Sequence, residues 1–139
     1  MKVHVGADIA SGVAHTVCVT PANVADINIM PGLLREDDQA VFGDSAYQKH
    51  GYKRAARAAG VFWGVALKGS KQYPLTPGNK RRNRRLSSVR SRVEHLFRII
   101  KCQFGYRKAR YRGQAKNAAQ VFMLMGLANL YLTRRAVLA

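Results

Sequence analysis

Charge is split along this chain, and the split limits what the chain can fold around. Residues 1–44 hold six acids (Asp8, Asp26, Glu36, Asp37, Asp38 and Asp44) against two bases, whereas residues 45–139 hold 22 bases and a single acid, Glu94. The net charge is −4 over the first stretch and +21 over the second. An excess of that size repels itself in a compact domain unless a polyanion lies close, so nucleic acid is the leading partner. A membrane surface would call for a basic amphipathic helix or a lipidation site, and the bases are instead spread over loops and several segments. With 47% apolar residues in 139, the chain has material for one core, and one domain is expected. The longest apolar-rich stretch, residues 121–132, is 12 residues long with Asn129 inside it, short of the ~20 needed to span a bilayer. No apolar run opens the chain as a secretory signal does, and Cys18 and Cys102 form no close pair. The expected location is therefore a reducing cytoplasm.

The apolar pattern predicts an α/β domain with a mixed sheet. Val3, Val5 and Ala7 alternate with polar or small residues, Ser11-Gly12 marks a turn, and Val13, Val17 and Val19 continue a β-rich run, which together read as a hairpin. Apolar residues at 24, 27, 30, 33 and 34 predict a short helix over residues 23–34 with Asn23 as its N-cap. A third strand at 40–42 ends at Gly43-Asp44-Ser45, and residues 52–59 read as a helix closed by Gly60. Residues 61–67, apolar except for Gly64, suit a strand buried on both faces. Residues 68–85 carry two prolines, two glycines, seven bases and no acid, which predicts an exposed basic loop. Ser87 or Ser88 is the expected cap of a helix to about Phe104, with Val89, Val93, Leu96, Phe97 and Ile100 at helical spacing, and a last helix covers about residues 114–135. Between these helices FGYRKARYRG alternates aromatic and basic residues, a composition suited to phosphate contact and stacking. Arg81, Arg82, Arg84 and Arg85 in the loop, and Arg107, Lys108, Arg110 and Arg112 in this segment, are the candidate nucleic-acid contacts.

Two carboxylates are candidates for chemistry. Glu94 is the one acid in 95 residues, and Arg90 at i−4, Arg98 at i+4 and Lys101 at i+7 share its helix face. A surface ion pair there is worth only a few tenths of a kcal/mol. An acid needed only for solubility would not be so isolated, whereas a carboxylate for a divalent metal, flanked by cations for the phosphate the metal engages, accounts for both the acid and its setting. Asp44 stands at the carboxyl end of a predicted strand, where sites form in open α/β sheets, although Asp before a helix is also a common N-cap. Two such carboxylates can hold Mg²⁺ or Mn²⁺, and a two-metal phosphoryl-transfer site wants a third. His4, His15, His50 and His95 form no metal-ligand pattern and read as structural or solvent-facing. Tyr47, Tyr106 and Tyr111 suit either base stacking or packing with the hydroxyl outward. Met123 and Met125 are expected in the core.

The stretches VHVGADIASGVAHTV, NVAD, FGDSAYQ, RSRVEHLFRIIKCQFGYRKARYRG, KNAAQ and LANLY resemble the C-terminal part of DDE transposases from bacterial insertion sequences, specifically the insertion-sequence-five group. The resemblance covers nearly the whole chain. It implies a ribonuclease H-like, integrase-type fold and an Asp-Asp-Glu triad that uses two Mg²⁺ (or Mn²⁺) to cut and rejoin DNA. The family's second Asp lies in a segment like GDSAY, which implies that Asp44 is catalytic and a metal ligand. The pattern Arg90-x3-Glu94-x6-Lys101 implies the same roles for Glu94, with Arg90 and Lys101 as phosphate or DNA contacts. Ser87 stands where the related pattern often has Tyr. The family's first Asp belongs to a strand preceding anything like residues 2–8, so the resemblance implies a truncated catalytic domain over residues 1–139, inactive alone. The implied partners are transposon ends, target DNA, the upstream half of the same transposase and a second copy of the chain. A non-catalytic basic nucleic-acid-binding module, or a decayed transposase remnant, is the alternative reading.

Overall fold

The computed structural model describes residues 1–138. Its elements in order are β1 (Lys2–Ala7), β2 (Ala14–Thr20), a 3-10 turn (Asp26–Asn28), α1 (Met30–Leu33), β3 (Ala40–Gly43), a 3-10 turn (Ser45–Tyr47), α2 (His50–Ala58), β4 (Phe62–Val65), α3 (Pro77–Cys102) and α4 (Gln114–Val137). The strands form two separate two-stranded sheets among the described residues, where the pattern suggested one mixed sheet. β1 and β2 pair antiparallel with Val5 opposite Val17, and β3 and β4 pair parallel with Gly43 opposite Val65. The chain divides into two compact units, one made of Met1–Val24 and the chain from Arg92 onward, the other of Ala25–Ser91.

The first unit is built on the predicted hairpin, the later turns of α3 and the whole of α4. Leu96, Ile99 and Ile100 of α3, Val121, Leu124, Met125 and Ala128 of α4, and Ala14 of β2 form its core, with Val3, Val5, Val17 and Val19 packed against them. The α4 residues recur at i, i+3, i+4 and i+7, the spacing that puts one face of a helix against a sheet. Each of Val121, Leu124 and Met125, by leaving water, contributes roughly 1.5–3 kcal/mol. Polar side chains complete what the apolar pattern cannot. The Asn129 amide accepts from the Ala14 N–H and donates to the Ala14 carbonyl, both at 2.8 Å, so that α4 serves as a hydrogen-bonding partner for β2. Asn117, only 5% exposed, accepts from the N–H groups of Arg110 and Tyr111 and donates to the carbonyls of Tyr111 and Gly113. His4, 3% exposed, shares a 2.9 Å hydrogen bond with Thr20, which makes it structural as expected. Met125 is buried, whereas Met123 faces water at 60% exposure, contrary to its expected place in the core.

In the second unit, α2 links the parallel strands β3 and β4. Met30, Val41 and Val65 are buried together, with Tyr47, Tyr52, Val61 and Trp63 packed around them. Gly64 interrupts the apolar run of β4 because the Phe42 ring occupies the space a side chain would need, with a ring carbon 2.6 Å from where a Cβ would stand.

Two expected elements take another form. The helix over residues 23–34 is reduced to the 3-10 turn and the four-residue α1, and Asn23 caps neither. Pro31 lacks the N–H that would bond back to the carbonyl of Ile27, so a helix cannot run on through it, and α1 starts only one residue before it. The basic loop over 68–85 is helical from Pro77 onward. Thr76 Oγ1 accepts from the Asn79 N–H at 3.2 Å, Pro77 occupies the first helical position, and Lys and Arg are good helix formers. The fourth strand is also shorter than expected, ending at Val65.

Asn117 holds four part-buried backbone groups of the basic segment, so Asn117→Ala leaves them without their partner and lowers stability by about 1 kcal/mol in urea denaturation. An unchanged midpoint would show that the segment is not held through this side chain.

Candidate functional site

Asp44 follows the last residue of β3, at the carboxyl end of a parallel strand. It is exposed, and its Oδ1 accepts from the Ala46 N–H, capping the turn Ser45–Tyr47. The capping role foreseen as the alternative is thus present and occupies one oxygen. Tyr47, half-buried under the same turn, has its hydroxyl pKa raised above 10.0 by burial first, then by the negative charges of Asp26 and Asp44. Asp26, from the turn before α1, therefore belongs to the same electrostatic neighbourhood, a relation that separation in sequence concealed.

Glu94 lies on the exposed side of α3. Arg98 and Lys101, one and two turns on, are exposed beside it. Among the described residues Glu94 makes no ion pair. Arg90 is half-buried on the same helix, with its Nε buried and lacking a hydrogen-bond partner. Asp44 belongs to the second unit and Glu94 to the first.

The basic candidates divide by what holds them. Arg81, Arg84 and Arg85 occupy i, i+3 and i+4 on α3 and are exposed. Arg82 is turned the other way and donates from both terminal nitrogens to the carbonyls of Trp63 and Val65 at 3.2 Å, so its guanidinium ties α3 to β4. Its neighbour Asn83 does the same for the chain leaving β4, bonding the N–H and the carbonyl of Leu67. Arg107, Lys108, Arg110 and Arg112 are all exposed on the short segment clamped by Asn117. Gly105 and Gly113 bound that segment with φ of 65° and 84°, a region open to glycine. Tyr111 is 52% exposed and free to stack, whereas Tyr106 packs against the core. A further group of bases lies on α2, where Lys53, Arg54 and Arg57 are exposed with His50. Their close spacing was visible in the sequence, but their arrangement on one side of a helix becomes informative only with that helix in place.

Carboxylate oxygens suit a hard divalent cation. Among the described residues, however, no three His, Cys, Asp or Glu side chains come together to hold one. Asp44 and Glu94 as they stand do not make up a complete metal centre. Among the described residues no helix is long and apolar enough to cross a membrane.

The family profile of the transposase DDE domain matches residues 1–130, and the chain belongs to that family. No solved structure matches it. Membership gives the chain a role in transposition, with DNA as its substrate, in a family that generally uses divalent metal.

The raised Tyr47 pKa has a stability consequence. The unfolded chain loses this proton near 10.0 and the folded chain at a higher pH, so the contribution of Tyr47 is fully present below pH 10 and is lost as pH rises through the folded value. Asp44→Asn removes one of the two charges that raise it, and the tyrosinate absorbance of Tyr47 then appears at lower pH than in the unchanged protein. An unmoved titration would show that the Asp44 charge does not reach the ring.

Proposed function

We propose that this chain serves DNA transposition as the C-terminal part of a DDE transposase of the insertion-sequence-five group, with a ribonuclease H-like fold. Its reaction is metal-dependent cleavage and strand transfer at DNA phosphodiesters. In this reading Asp44 and Glu94 are two of the carboxylates of that reaction, and at least one further donor comes from elsewhere, so the chain is inactive alone. Arg90 and Lys101 contact phosphate beside Glu94. The exposed bases Arg81, Arg84, Arg85, Arg107, Lys108, Arg110 and Arg112 hold the DNA backbone with little sequence preference. The observation that carries the reading is Glu94 itself, the one acid after Asp44, exposed and without an ion pair on a cationic helix of a transposase-family chain. A carboxylate kept among unpaired cations has little stabilising use, but it does have a use where phosphate and a divalent cation meet.

A second reading, a basic DNA-binding module without catalysis, draws on the absence of any three-donor cluster among the described residues. Transposition of a marked element carrying this coding region in its native genomic context separates the two. Glu94→Gln and Asp44→Asn each reduce transposition to background, while purified Glu94→Gln protein binds DNA as tightly as the parent or more tightly, because a negative charge beside phosphate is gone. Transposition at the parental rate by either variant contradicts the catalytic reading and leaves the binding module.

A further inference from the structure

Helix α2 presents a feature that neither the triad nor the basic segments account for. His50, Gly51, Lys53, Arg54 and Arg57 line an open concavity of about 370 Å³ on the second unit, within the size range of small-ligand pockets. The spacing i, i+3, i+4 and i+7 puts His50, Lys53, Arg54 and Arg57 on one side of the helix. Tyr52, on the other side, packs on the core with Trp63.

Three properties of this stripe are unfavourable for the folded chain by itself. Like charges at i, i+3 and i+4 repel, and none of these cations has an ion-pair partner among the described residues. The helix begins at Lys49 and His50 with no acid in its first turn and no side-chain cap, the wrong sign of charge for the positive end of a helix. Gly51, inside the first turn, has no positive φ and no atom within 4 Å of where a Cβ would stand, so packing does not require a glycine there. An anion seated in the concavity offsets the first two, and close approach of that anion to the helix backbone accounts for the third.

We propose that the α2 concavity is a phosphate subsite for the DNA backbone, formed by Lys53, Arg54 and Arg57 over Gly51. It is separate from the contacts on α3 and from the segment 107–112. The proposal rests on DNA being the substrate and adds a place on the second unit where the strand is held. The anion is taken to be a phosphodiester of the DNA, and a free phosphate offers the same chemistry from another source.

The test is equilibrium binding of the full chain to duplex DNA over a range of salt concentrations, for the parent, for Lys53→Ala/Arg54→Ala/Arg57→Ala and for Gly51→Ala. Each lost phosphate contact reduces the slope of log K against log salt by about 0.9, or about eightfold in affinity at 0.1 M salt. The triple variant is expected to lose up to about 2.7 of slope. Gly51→Ala is expected to unfold at a higher temperature than the parent, because alanine favours helix, yet to bind DNA more weakly, a combination that a merely structural glycine does not produce. Acetylation of the free chain, read by mass spectrometry, should modify Lys53 readily, and bound DNA should protect it. A triple variant with the parental slope, or a Lys53 equally reactive with DNA bound, overturns the subsite while leaving the DNA reading intact. A parent chain that binds no DNA overturns both. Full displacement of DNA from Lys53 by millimolar inorganic phosphate, with the overall DNA affinity unchanged, assigns the site to a free anion and overturns it as a DNA contact.

Discussion

Mutual repulsion among the bases is the constraint around which this structure is arranged. Cations must stay in water or find an anion, so every element rich in them can bury only a narrow apolar face. α3 shows the result most clearly. Its later turns bury Leu96, Ile99 and Ile100, while Arg98 and Lys101 between and beyond them stay exposed. α2 goes further, since only the side carrying Tyr52 touches a core. Where apolar contact is scarce, amide and guanidinium side chains do the joining. Asn129 holds β2, Asn117 holds the basic segment, and Arg82 and Asn83 hold the chain in and beyond β4.

Arg82 illustrates why charge alone does not identify a ligand contact. Its sequence neighbours Arg81, Arg84 and Arg85 point to water, but its own donors are committed to two strand carbonyls, bonds that satisfy backbone groups which would otherwise lack partners. A basic stretch is therefore both a scaffold and a surface, and helical phase decides which residue does which. The same holds for the aromatic residues of the following segment, where Tyr106 joins the core and Tyr111 remains exposed.

Much of this was legible in the sequence where local chemistry decides. The hairpin, β3, the start of α4 and the helical setting of Glu94 all follow from alternation or helical spacing, because those segments bury one face against a neighbour. The run over 23–34 has helical apolar spacing, but Pro31 within it interrupts the helix, and the stretch before Arg85 holds two prolines and two glycines, but the capping pair Thr76-Pro77 and the helix-favouring bases that follow make it helical. Glu94 stands out as an isolated acid and Asp44 as an acid at the carboxyl end of a strand, and their roles are what a resemblance implies. Their membership of different compact units, and the electrostatic link of Asp26 to Tyr47, depend on tertiary arrangement that no local pattern encodes.

If a polyanion is what makes this charge distribution tolerable, then binding it must stabilise the fold, and salt must remove the gain. Thermal unfolding of the purified chain with and without duplex DNA, at low and at high salt, measures this directly. The account predicts a higher unfolding temperature with DNA at low salt and no difference at high salt. An unfolding temperature indifferent to DNA at low salt would contradict it.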